Sequence, residues 1–418
     1  MLRIALALAL VLAGAAPGLP ARSAETAPVE APPDSDSEAP ADPQAPGATS
    51  EPEADSEGRL TPVLSRFGIR LYGRINLDMS YDTDKIDTGN FARWVETPDE
   101  VEKGDDQFNV SANASRLGVA VEGPGSESIE SDALVEIDFY GGGGENTPKP
   151  RLRQAYAAVH WLGPEISVLF GQTWDVIHPL LPDQLNFVAG WWSGNIGFRR
   201  PQLRGSKAFA LGGSRRLMLD LAIARTIGDP IFTQDVGADA GIPTLQMHLG
   251  YEFLGLAGQA TSIGLSGHAG EQECDSLAKD FLTWSAGTDL SIPLSRELRL
   301  EGEAWTGQAV CTYLGGIGQG INTNLRRAIR ATGGWAALKY DLSSKWRFNL
   351  GGGVDDPWDR DLSPGMRSRN FSVFTNAKRY FFKRAFSVGL ELMYMHTDFI
   401  ERATGTAFRV QGQGRFDF

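Results

Sequence analysis

The chain has 418 residues, 52 of them acidic and 39 basic, for a formal net charge of −13, with 42% hydrophobic residues and two cysteines. This length admits two or three ordinary domains or one large barrel, and the acidic balance argues against a nucleic-acid partner. After the opening residues no run of roughly eighteen apolar side chains occurs, which excludes helical membrane spans. A membrane barrel stays open, because alternation hides its lipid face from a hydropathy average.

In chain order, the first element is MLRIALALALVLAGAAPGLPARSA, with one early charge at Arg3, an apolar run from Ile4 to about Ala16, and small residues after it. It reads as a secretory signal peptide, 1–24, too short and wrongly flanked for a spanning helix. Cleavage after Ala13-Gly14-Ala15 or at Ala24 both remain open. Residues 25–60 follow as an acidic, proline- and alanine-rich stretch. Its core, 25–58, holds ten acidic residues, no Lys or Arg and no aromatic residue. With so little to bury, it is expected to be disordered, an extended tether in the periplasm. Taken with Arg3 and Arg22, those ten acids leave only −5 on residues 59–418.

Residues 61–418 are expected to form one all-β domain. In FGIRLYGRINLDMSYD, residues 67–82, Ile69, Leu71, Ile75, Leu77, Met79 and Tyr81 share one parity, and Arg70, Tyr72, Arg74, Asn76, Asp78 and Ser80 the other. As a strand this has one oily and one polar face. The pattern recurs to a count of sixteen, through apolar sets such as Ala133/Val135/Ile137, Leu217/Leu219/Leu221, Leu245/Met247/Leu249 and Phe408/Val410/Phe416. Brief connections (LGPE, GLAG, SREL, SSK, FKR) alternate with long ones near 82–114, 175–197, 226–243 and 309–330. Short turns on one rim and long loops on the other fit a sixteen-stranded antiparallel transmembrane β-barrel of the bacterial outer membrane, and give a sandwich no explanation. Aromatic residues near strand ends (Tyr81, Trp161, Tyr251, Trp284, Tyr340, Trp346, Phe381) suit girdles at the two interfaces. Backbone groups in lipid must all pair, so the sheet must close, and this many strands leave a water-filled channel.

Several stretches together resemble the DcaP-like family of trimeric outer-membrane porins: LYGRIN (71–76), EIDFYGGG (136–143), LFGQTWD (169–175), RRPQLR (199–204), GEAWTGQ (302–308) and YLGGIGQGIN (313–322). The resemblance implies a homotrimer that passes small anionic solutes, with dicarboxylates favoured. It also makes the terminal aromatic Phe418 the signal read by the outer-membrane insertion machinery. One departure is the acidic tether, which stands where the relatives carry a helical segment.

Parity turns Arg70, Arg74, Arg116, Arg200, Arg204, Arg216, Arg299, Arg347, Arg409 and Arg415 toward the lumen, together with a comparable number of carboxylates. Selectivity must then come from clustering rather than from total charge. The candidate anion-binding, pore-lining set is Arg70, Arg74, Arg116, Arg200, Gln202, Arg204 and Arg216, centred on Arg200-Pro201-Gln202-Leu203-Arg204, where arginines two apart share one face. Pairing with facing carboxylates is the competing reading. Arg151 and Arg153 fall on the lipid parity, so they are snorkelling, lie in a bulge, or mark a wrong register; Pro201 also suggests a bulge. The long loop 175–197, with His178, Asp183, Gln184, Asn186, Trp191 and Trp192, is the candidate constriction loop. Its two tryptophans could alternatively pack at a subunit contact or the outer rim. Cys274 and Cys311, on neighbouring long loops in an oxidising compartment, are expected to form a disulfide. No catalytic or metal-ligand spacing stands out among the five histidines, and neither an enzyme nor a cofactor is expected. The alternative to a porin is a largely closed barrel that anchors the membrane to a periplasmic partner through the tether.

Overall fold

The computed structural model describes residues 67–89, 91–100, 104–142, 148–226 and 240–418; the expected signal peptide and tether lie outside the described residues. The strands are β1 (Gly68–Asp82), β2 (in two segments, Gln107–Ser111 and Arg116–Glu122), β3 (Ile129–Asp138), β4 (Arg151–Trp161), β5 (Ile166–Trp174), β6 (Arg199–Ala210), β7 (Arg216–Ala224) and β8 (Thr244–Leu254). They continue as β9 (Ala260–Cys274), β10 (Lys279–Pro293), β11 (Leu298–Gln308), β12 (Arg330–Ser343), β13 (Trp346–Pro357), β14 (Arg367–Phe381), β15 (Phe386–Phe399) and β16 (Arg402–Asp417). Each pairs antiparallel with its sequence neighbours, and β16 pairs with β1, with Ile75 opposite Phe416, so the sheet closes into a sixteen-stranded barrel.

Alternation decides the two faces. Along β1, Ile69, Leu71 and Ile75 are 56–62% exposed, whereas Asn76, Asp78 and Ser80 between the outward residues are 1–5% exposed. Apolar side chains therefore line the outer surface and polar ones the interior, the reverse of a soluble barrel. No helix among the described residues is long and apolar enough to cross a membrane.

Three details differ from the sequence reading. The loop after β1 is shorter than expected, because Gln107–Ser111 pairs with Asp78–Asp82 before the chain breaks at 112–115 and resumes as the second half of β2. The bulge is in β4: pairing passes from Glu136–Gln154 to Ile137–Leu152, which leaves Arg153 without a partner position. That extra residue turns Leu152 outward, 47% exposed, and Arg151 and Arg153 inward. Pro201, by contrast, sits in regular register opposite Gln172. β7 pairing starts only at Gln202, so Pro201's missing N–H falls just beyond it, and only its carbonyl is used, by Arg225 N.

The outer half of the interior is filled. Three loops, L1 (83–106), L3 (175–198) and L6 (309–329), fold inward and form apolar clusters with inward side chains of the wall. One joins Ile86 and Val95 to Trp335, Phe374, Met393 and Met395. A second joins Val176, Ile177 and Ile196 to Trp305, Val310 and Tyr313. The third joins Trp94, Leu181, Trp191, Trp192 and Ile317.

Candidate pore constriction

L3 leaves β5 at Trp174 and re-enters the wall at Arg199. Its base is closed by two hydrogen bonds, Asp175 N to Phe198 O (2.8 Å) and Phe198 N to Asp175 Oδ2 (2.9 Å). Apolar at every few residues, the loop stays out of water: Val176, Ile177, Leu185, Trp191, Trp192 and Ile196 are all buried inside the barrel. The tryptophans therefore pack in the lumen, Trp191 against Trp174 and Phe198, Trp192 against Trp94. At Gly194 (φ +106°) the loop lies on the wall so closely that a Cβ would sit 2.1 Å from Gly334 O, a place only glycine fits.

Carboxylates and amides of the wall satisfy the loop's backbone. Leu180 N donates to Glu303 Oε1 (2.8 Å), Leu185 N and Asn186 N to Glu391 (2.8 and 3.0 Å), and Trp305 Nε1 donates to Gly194 O (2.7 Å). The Asn186 side chain joins L3 to L1, accepting from Ala92 N (3.2 Å) and donating to Ala92 O (2.9 Å). Asp183 is the ionic pin: Lys378 holds one oxygen, and Arg347 Nη1 (3.4 Å) and Asn349 Nδ2 (3.3 Å) hold the other. Burial alone would raise its pKa, but the charges of Lys378, Lys339 and Arg347 outweigh that and hold the carboxyl well below the usual range. Gln184 is buried beside it. His178 is buried too, and neither ring nitrogen has a hydrogen-bond partner. Desolvation lowers its pKa from 6.5 to about 4, with nearby Asp289 opposing and His248 reinforcing the shift.

The arginines expected to bind anions divide. Arg200, fully buried, is committed to the fold: its guanidinium pairs with Asp175 Oδ1 (2.7 Å), donates to Thr312 O (3.0 Å) and lies 3.8 Å over the Tyr313 ring. Gln202 donates to the carbonyls of Thr173 and Trp174 (3.1 and 2.9 Å), and Arg204 bonds to Gln202 Oε1 (3.1 Å) and to Trp174 O. This strand thus braces the base of L3, and the Arg200–Arg204 pair is not the open anion cradle expected from spacing. The reason is that L3 brings its own carboxylate, Asp175, and its own carbonyls to that face. Arg70 is exposed at the short-turn rim and Arg216 pairs there with Glu165 (3.2 Å), both away from L3.

A different arginine group gathers on β1, β2, β4 and β6. Arg153 pairs with Glu136 (2.6 Å) and Asp138 (3.0 Å), and Arg151 grips Asp138 with two nitrogens (2.9 and 2.6 Å). Arg74 and Arg116 act on the same Glu136, and Arg74 Nε donates to Ala114 O (3.4 Å). Arg199, next to L3, lies 4.4 Å over Trp174 and 4.8 Å over Phe198 within the field of Arg151, Arg153 and Arg116, and its Nη1 has no hydrogen-bond partner. Five guanidiniums thus gather around three carboxylates: Glu136, Asp138, and Asp78, which accepts from Asn76 (2.6 Å), Gln411 (3.2 Å) and Gln413 (2.9 Å) and lies in the field of Arg74. Arg151 stays 30% exposed, over the Tyr140 and Phe187 rings. Of these five, the sequence reading had named Arg74 and Arg116; the parity break at Arg151 and Arg153 was the signal for two more, and Arg199 had none.

The disulfide is absent. Cys274 and Cys311 are not bonded to each other and both are buried, with Cys274 Sγ beside Ser276 Oγ (3.5 Å) and Cys311 Sγ beside Gln272 Nε2 (3.7 Å). L6 folds inward and carries Cys311 under Gly320 rather than out to a neighbouring loop. Among the described residues no group of three His, Cys, Asp or Glu is arranged to hold a metal ion.

No protein-family model matches this sequence, and no curated protein matches it. Solved structures do. The chain is similar to the outer membrane channel DcaP of Acinetobacter baumannii, at 18% identity and a TM-score of 0.67 over 85% of this chain and 98% of that one. It is similar to an anion-selective porin from Comamonas acidovorans (12% identity, TM-score 0.56, 84% and 100% covered) and to OmpF of Salmonella typhi (11%, 0.56, 84% and 97%). The fold is therefore that of the outer-membrane porins, and the likeness to the DcaP channel is one of fold over the whole barrel.

Proposed function

We propose that this protein is a bacterial outer-membrane porin through which small anionic solutes diffuse, with short dicarboxylates the favoured class. The observation that carries this is the arginine excess beside L3: Arg74, Arg116, Arg151, Arg153 and Arg199 against Glu136, Asp138 and Asp78. Guanidiniums remain charged at any working pH and take carboxylates in two-point contact, so the part-exposed Arg151, backed by the field of the buried Arg199, suits a solute with more than one carboxylate. The anion-selective neighbour supports the same direction, and the DcaP-like resemblance of the sequence motifs favours dicarboxylates. Homotrimeric assembly is part of the proposal, supported by a neighbour crystallised in a trimer form. So is the placement of the segment before β1 in the periplasm. Removal of residues 1–24 as a signal and recognition of Phe418 by the insertion machinery complete it; Phe418 joins the closing seam through Gly73, donating at 3.0 Å and accepting at 2.9 Å.

The test is the reversal potential of purified protein in planar bilayers across a salt gradient. The expected sign is anion preference, reduced about ten-fold in permeability ratio by Arg151→Gln with Arg199→Gln, on the order of 1.4 kcal/mol of lost attraction. A cation-preferring channel would end the proposal. The three apolar clusters in the outer half favour the second reading, a largely closed barrel acting as an anchor. Absence of any conductance under the same conditions would select it.

A further inference from the structure

A second basic feature lies outside the lumen, on the rim of short turns. The β12–β13 and β14–β15 turns enclose a cleft of about 580 Å³, lined by Lys345, Arg379, Phe381, Phe382, Lys383 and Arg384 among others. Lys345 and Lys383 are exposed, and neither forms an ion pair among the described residues. Arg384 lies 4.0 Å over the Tyr380 ring and Arg379 5.3 Å over Trp346, so aromatic faces hold these cations at the cleft. Phe382 is 81% exposed, more than any other large apolar side chain described.

The turn is also strained. Phe382, Lys383 and Arg384 have φ of 51°, 55° and 76°, three consecutive left-handed residues, none a glycine. Left-handed backbone is strained for any residue with a Cβ, a burden glycine would lift. Instead the turn presents a bare aromatic ring between cations. The two exposed lysines, at a cleft that two arginines also line, suit an anionic occupant.

One candidate is attached to the same chain. Residues 25–58 carry ten carboxylates, no Lys or Arg, and enter the barrel at Gly68 on this rim. Asp417 N donates to Ala385 O (2.8 Å) and Phe418 N to Gly73 O (3.0 Å), which puts the β14–β15 turn two strands from β1. That is about 10 Å across the sheet, while the ten residues from Gly58 to Gly68 span up to ~33 Å extended. At the β2–β3 turn the rim instead exposes Glu122 and Glu127, which repel such a segment. We infer that the acidic segment 25–58 docks by its carboxylates in the Lys345/Lys383 cleft of its own barrel. Anionic lipid headgroups would offer similar chemistry, but tethering gives the segment an effective concentration in the millimolar range without any membrane contact. The inference is independent of what the pore conducts.

The experiment uses the full mature chain in neutral detergent, treated with a carbodiimide that joins carboxylates to amines. The expected products link Lys345 or Lys383 to acidic residues of 25–58, with yield falling several-fold in molar salt, where the Debye length is about 3 Å. Lys345→Glu with Lys383→Glu should speed cleavage of the segment by a glutamate-specific protease several-fold, with the barrel's unheated gel mobility unchanged. Equal links to Lys207 and Lys279, or equal cleavage of both proteins, would overturn the inference. So would links found only between heavy- and light-isotope chains, which would mean a second copy is the occupant. Protection of the two lysines from acylation only in phosphatidylglycerol nanodiscs, with cleavage unaffected by the double substitution, would assign the cleft to lipid.

Discussion

Acid should loosen the constriction through His178. The imidazole is buried in L3 without a partner for either nitrogen, and its pKa is lowered by desolvation from 6.5 to about 4. A group whose folded pKa lies below its free value is neutral when seated and takes up a proton when released. The neutral ring's contribution to seating is therefore complete above pH 6.5, shrinks as pH falls, and is gone below about pH 4. The full difference is about 3 kcal/mol, and at pH 5 about 2 kcal/mol of it has been lost, a factor of roughly 30 in the population of the unseated loop. Asp183 does not cancel this effect: its carboxyl is held below the usual range, so its contribution to seating persists through the same window and is lost only at lower pH.

Single-channel recording at pH 7.5 and pH 5 reads the population directly, as the frequency of current steps between the seated and unseated loop. His178→Asn is the control, because asparagine tolerates the positive φ of 49° found here and does not titrate near neutral pH. The wild type should gain transitions about 30-fold between the two pH values and the variant should stay flat. Equal acid sensitivity in both proteins would refute the assignment to this imidazole.

Asp183→Ala removes a carboxylate shared by Lys378 and Arg347, of which Arg347 keeps Asp341 (2.7 Å); by the usual cost of breaking a buried pair this weakens L3 seating by about 3 kcal/mol. Faster exchange of the Leu185 and Asn186 amides, which bond to Glu391, would register it; unchanged exchange would mean the pin is dispensable. Gly287→Ala places a Cβ 2.2 Å from His178 Cε1 and 2.6 Å from Ala304 O, one of them immovable backbone, so the ring must leave its site. That variant should show at pH 7.5 the channel noise the wild type shows at pH 5, and quiet wild-type-like traces would contradict the packing described.

The fold was legible because alternation, turn length and the closing aromatic strand are local signals. Ile69, Leu71 and Ile75 face outward as their parity requires, and the strand count holds. The lumen was less legible because parity gives a side chain's direction but not what a returning loop brings to meet it. Arg200 pointed inward as expected and met Asp175 of L3; Lys378 met Asp183, some 195 residues away in sequence. Arg151 and Arg153 could be seen to break the pattern, but only the pairing across β3 and β4 shows one extra residue turning both inward. Nor does sequence spacing reveal that L6 turns Cys311 toward Gln272.

If solutes pass along the arginine group, as proposed, its carboxylates set how well it can conduct. A solute carboxylate 4 Å from one guanidinium gains about 4 kcal/mol at the effective dielectric of a protein surface, and several cations acting together would make a trap rather than a path. Asp138, bonded to Arg151 and Arg153 at once, and Glu136, bonded to Arg153, keep that well shallow and hold the guanidiniums in position. Asp138→Asn preserves the shape, still accepts a hydrogen bond, and removes one negative charge from the wall. Anion preference should then rise while anion current falls, because entry is favoured and release is slowed, and a dicarboxylate in the bath should block the variant at lower concentration than the wild type. A parallel rise in preference and current would mean that entry, not release, limits passage, and the balance between these arginines and their carboxylates would lose its role in transport.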